Sequence, residues 1–140
     1  MVCQFLFDRA GKFQIQECRS SSCAPHAEVV RRILADEEYC GAAGEVILRD
    51  LCQTDHPDPA LRPLAQTHFE RWLRASLHSF GGPDSPNDQR AVELGLKARP
   101  AADVIRDYLR NLQPAMEACA LRFPSRERLG LDLPDDVPIK

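Results

Sequence analysis

Residues 58–80, DPALRPLAQTHFERWLRASLHSF, constrain the fold of this chain more than any other stretch. A polar, proline-rich turn precedes them and Gly81-Gly82-Pro83 closes them. Wound as a helix, the segment gathers Leu61, Leu64, Ala65, His68, Phe69, Trp72, Ala75 and Phe80 on one broad face. Thr67, Glu70, Arg71, Arg74 and His78 take the other. That is the pattern of a helix half-sunk in a core. A domain that contains it must supply other helices to cover the apolar face.

The rest of the chain is expected to do so in order. Residues 2–7, VCQFLF, and 13–18, FQIQEC, flank the turn-like Asp8-Arg9-Ala10-Gly11-Lys12, and Phe13 and Ile15 alternate with glutamines. This alternation predicts an N-terminal β-hairpin with Phe5 opposite Ile15 and Cys3 close to Cys18. Ser20-Ser21-Ser22 and Pro25 open a helix to about Glu38. Its inner half would carry His26, Val29, Val30, Ile33, Leu34, Glu37 and Cys40. Gly41 and Gly44 loosen the chain before residues 45–52, which read as helix or strand. After the breaker at 81–87 comes a short helix with Leu94 and Leu96 turned inward. A long helix then starts at Pro100, with Val104, Ile105, Tyr108, Leu109 and Leu112 on one face. Met116, Cys119 and Phe123 continue that face beyond Pro114, which predicts one kinked helix. Leu129, Leu131 and Leu133 belong to an extended strap, laid on the domain or held out to a partner.

The 140 residues are thus expected to form one mainly α domain. Its parts are a hairpin and Cys-rich loop at 1–23, a helical core of four to five helices at 24–123, and a strap at 124–140. A net charge of -3 gives no reason to expect nucleic acid or an anionic membrane surface as a partner. No run is long enough to cross a membrane, and the start MVCQFLFDRAGKF lacks the order of a signal peptide. A cytoplasmic setting is the expectation, with the six cysteines reduced.

Three constellations could carry chemistry. Cys3, Cys18, Cys23 and His26 would converge if the hairpin forms, and soft and borderline ligands of this kind close structural zinc sites. Exchanging His26 for Cys40 would give an iron–sulfur set. Cys23 near a helix N-terminus with Cys18 as resolving partner would make a thiol switch. Core thiols are the plain reading of the same cysteines. His68 with Trp72 one turn on is the third candidate, as a cofactor ligand or a base, against a simple core histidine. Glu37, inside an apolar arc, could pair with an arginine or a histidine. No Gly-rich phosphate loop, Gly-x-Ser-x-Gly elbow or His-Glu-x-x-His occurs.

From His68 to Met116 the sequence resembles the truncated globins and, more loosely, the phycobiliproteins. The resemblance lies in Phe80-Gly81-Gly82-Pro83 after a long helix, then Leu94-Gly95-Leu96, then a long amphipathic helix. It implies a globin-like bundle and a tetrapyrrole, haem or bilin, near His68. Ala91 stands where the family's proximal haem histidine would fall, and no histidine follows His78. The function expected is a non-catalytic binding or regulatory module, not an enzyme, that contacts another protein or a second copy of itself. Structural zinc at Cys3/Cys18/Cys23/His26, a tetrapyrrole at His68 and Trp72, and a cysteine redox switch are its alternatives.

Overall fold

A computed structural model describes residues 1–52, 56–82 and 85–139, with the side chains of 36–43 outside the described set. Among the described residues the helices are, in order, α1 (Val2–Glu17), α2 (Ala24–Leu51), α3 (Leu61–His78), α4 (Pro86–Glu93), α5 (Ala101–Ala118) and α6 (Arg126–Leu129). The mainly helical expectation holds.

The N-terminal hairpin does not form. Residues 2–17 are a single helix, and no strand occurs among the described residues. Buried Phe5, Leu6 and Ala10, with Val2 and Phe13 packed against the core, follow helical spacing along the whole segment. That longer pattern outweighs the four-residue alternation around Phe13 and the turn composition at 8–12. α1 is also the hub of the molecule, because it packs against α2, α3 and α5. The central role expected of 58–80 belongs to it.

α2 runs unbroken for 28 residues through Gly41 and Gly44. Gly44 does not loosen it; a Cβ there would stand 3.3 Å from the Phe5 Cα, so the missing side chain lets α1 and α2 approach. Among the described side chains of α2, Ala27, Val30 and Leu48 are buried, as is Gly44, while His26, Val29 and Ile33 are exposed. Glu37 and Cys40 lie outside the described side chains.

α3 exists as expected, but its core face is rotated. Ala65, Phe69, Leu73, Ser76 and Leu77 are buried, and Leu64 and His68 lie in solvent. Leu73 and Leu77 take the seats that the sequence pattern assigned to Leu64 and His68. Leu94 and Leu96 after α4 are likewise exposed rather than turned inward.

α5 passes through Pro114 as one helix but stops at Ala118, with Cys119 as its C-cap, short of Phe123. Leu121 N–H reaches the Met116 carbonyl and Ala120 N–H the Glu117 carbonyl, a Schellman closure. Ala120, at φ 52, occupies the left-handed position where glycine is usual. The strap is laid on the domain. Leu133, Val137 and Ile139 are buried, and the Arg126 guanidinium donates to the carbonyls of Ile139, Leu133 and Pro134 at 3.0, 2.9 and 2.6 Å. Arg106 and Arg110 hold it from α5 through Asp136.

Candidate functional site

The residues singled out in the sequence are scattered by the fold. Cys3 lies in the first turn of α1 and Cys18 caps its other end, about 22 Å away at the helical rise. Cys23 is exposed at the N-cap of α2, and the exposed His26 ring places Nδ1 3.5 Å from Ser21 Oγ. The four ligands of the expected zinc site are therefore not brought together, and no group of three or more metal-ligating side chains occurs among the described residues. Burial pushes the Cys18 thiol above its ordinary range, with nearby Lys97 opposing, so its thiolate is disfavoured. Cys40, the fourth member of the iron–sulfur alternative, lies outside the described side chains.

His68 is on the solvent side of α3. Trp72 is half-buried, edge-on to Phe7 with ring centroids 6.2 Å apart, and Arg71 lies over its ring at 5.3 Å. The pair is a packing feature at the rim of α1 and α3 rather than the wall of a cofactor pocket. Ala91, on α4, is only partly buried.

Two polar assemblies that the sequence did not announce hold the centre and the edge of the bundle. At the centre, Tyr108 and Ser76 are fully buried. The Tyr108 hydroxyl lies 3.1 Å from Ser76 Oγ and 3.3 Å from the Leu6 carbonyl, while Ser76 donates to the Leu73 carbonyl at 2.9 Å. The cluster joins α1, α3 and α5 and is neutral. Burial raises the Tyr108 phenol well above its usual range, Ser76 and Arg9 opposing weakly. Phe13 and Phe80 pack on the Tyr108 ring at centroid separations of 6.0 and 5.2 Å.

At the edge, Glu17 is buried at the end of α1 and accepts three hydrogen bonds from the Arg99 guanidinium, at 2.7, 3.2 and 3.2 Å. Arg99 also donates to Asp107 at 2.6 Å. Glu17 first and Asp107 second raise the Arg99 pKa further, so this cation is permanent. Beside them Asp88 pairs with Lys97 and accepts the Ala101 backbone N–H at 2.8 Å, a carboxylate at the start of α5. Cys52 and Cys119 end α2 and α5 in the core, and burial, followed by the charge of Cys52, pushes the Cys119 thiol up to about 11. They are resting thiols. An open groove of about 620 Å³ runs between α3 and the segment after α5, with Arg62, Gln66, Arg122 and Phe123 in its walls.

The family model described as phenylacetic acid catabolic protein matches residues 1–132, nearly the whole chain. No curated protein matches the sequence. The family match overturns the resemblance to truncated globins and phycobiliproteins. The motifs behind that resemblance were short breakers and a generic amphipathic helix, which many helical bundles share.

Proposed function

Because the chain belongs to the phenylacetic acid catabolic protein family, we propose that it works in the enzymatic breakdown of phenylacetic acid. The observation that carries this reading is a family match that spans residues 1–132. The same finding corrects the expectation of a non-catalytic binding module with zinc, tetrapyrrole or thiol-switch alternatives, since the family points to a catabolic enzyme. The buried strap removes part of the reason for that expectation, because Leu129, Leu133 and Ile139 are used inside the domain.

The family's enzymatic setting brings in di-iron oxygenase chemistry. In four-helix proteins such a centre takes a Glu from each of two helices and a Glu-x-x-His pair from each of the other two. Here the residues three places before His26, His56, His68 and His78 are Cys23, Gln53, Ala65 and Ala75, so the pair occurs nowhere in the 140 residues. The donors of this chain do not fit a di-iron centre, and no reaction step is assigned through iron.

Growth tests the role. Cells deprived of this chain should fail to grow on phenylacetic acid as sole carbon source, grow normally on succinate, and recover when the chain is restored. Unimpaired growth, with phenylacetic acid consumed at the parental rate, would overturn the reading.

A further inference from the structure

We infer that this chain departs from the di-iron pattern of its family's setting: a neutral lock of Tyr108, Ser76 and the Leu6 carbonyl fills the interior where α1, α3 and α5 meet. The inference rests on family membership and on the interior itself, not on the proposed role in growth.

A di-iron centre needs several carboxylates inside the bundle, and these are tolerable there only because the metal ions compensate their charge. Among the described residues the interior where α1, α3 and α5 meet offers none of them. α1 brings Phe5, Leu6 and Ala10, α3 brings Phe69, Leu73 and Ser76, and α5 brings Ile105, Tyr108 and Leu109. Among the described residues Glu17 is the one buried carboxylate, and it is already neutralised by Arg99 at the edge.

Hydrogen bonding in the lock closes on itself. Ser76 gives its single proton to the Leu73 carbonyl and keeps lone pairs for the Tyr108 hydroxyl. The Tyr108 proton is shared between Ser76 Oγ and the Leu6 carbonyl. No buried side-chain nitrogen or oxygen is left without a partner among the described residues. An interior prepared for metal would show the opposite, with acceptors aimed at one point and repelling one another. Burial also raises the Tyr108 phenol and favours its neutral form. Phe13 and Phe80 fill the space around the ring that an ion and its ligands would require. The lock thus does for this bundle what a metal centre does elsewhere. It ties three helices together at their crossing.

The test uses the full chain. Iron(II) alone is added without oxygen, excess metal is removed by desalting, and the retained iron is counted by elemental analysis. We expect far less than one iron per chain, with tyrosine fluorescence unchanged. One or more irons retained per chain would overturn the inference. Tyr108→Phe keeps the ring and removes the hydroxyl, and Ser76→Ala removes its partner. Each should lower Tm by a few degrees without raising iron uptake. Unchanged Tm in both variants would overturn the lock, and iron uptake gained by either would show a concealed metal site. The growth test on phenylacetic acid reads the proposed role separately, so either idea can fail without the other.

Discussion

The crossing of α1, α3 and α5 and the edge where α1 meets the segment before α5 both place polar atoms out of water, with opposite chemistry. At the crossing the groups are hydroxyls and carbonyls, all neutral, and Tyr108 and Ser76 are completely buried. At the edge the groups are full charges, with Glu17 buried but its partner Arg99 left 44% exposed. The difference follows from desolvation. An ion inside a low-dielectric core costs several kcal/mol even after relaxation, whereas a neutral hydrogen-bonded hydroxyl costs little. Among the described residues, charges are kept where at least one member of each pair still reaches water. That is also why, among the described residues, the centre offers no cluster of donors to a metal cation.

The comparison can be broken most severely at the centre. Tyr108→Ala removes a buried ring, its hydrogen bonds and the packing of Phe13 and Phe80. It should cost about 3–5 kcal/mol in urea unfolding. A loss under about 1 kcal/mol would mean that the three helices are not joined there.

Alkaline pH separates the two regions next. The Tyr108 pKa is raised by folding, so the stability it contributes is fully present below the unfolded value, about 10. It is lost as pH rises towards the folded value. The Glu17–Arg99 pair at the edge is insensitive in this window because the Arg99 pKa is itself raised. A phenolate titration should therefore show one tyrosine that ionises only with unfolding. Ready ionisation of both tyrosines in the native protein would deny the sealed interior.

The edge is expected to be weaker. Glu17→Ala removes three hydrogen bonds but leaves Arg99 partly hydrated. We therefore expect a loss of about 1 kcal/mol after solvent screening is allowed for. Tm should fall much less than for Tyr108→Ala. Equal losses would erase the distinction. The smallest test lies outside both regions and calibrates them. Ala120→Gly relieves a left-handed alanine at the end of α5 and should stabilise by about 0.5–1 kcal/mol, measured by the same unfolding curves.

Much of this was readable in the sequence, and the exceptions have causes. The apolar face of α5 from Val104 to Leu112 was correct because its spacing is strict. α3 was found as a helix but turned wrongly, since Leu64 and His68 competed with Leu73 and Leu77 for the inner face and only packing against α1 decides. α1 reads as a hairpin in the sequence because Asp8-Arg9-Ala10-Gly11-Lys12 has turn composition, while its helical signal extends over the whole of 2–17. The cysteine site failed with it, as Cys3 and Cys18 meet only across a hairpin. Ser76 carried almost no signal. A single serine in register with Phe69 and Leu73 looks like any interruption of a core face until Tyr108 is seen opposite it.

The most direct measurement is the iron content of the chain itself, isolated from iron-replete cells growing on phenylacetic acid and separated from any partner. The account predicts an essentially iron-free chain whose Tyr108 remains protonated and buried. Two irons per chain, held through purification, would contradict it.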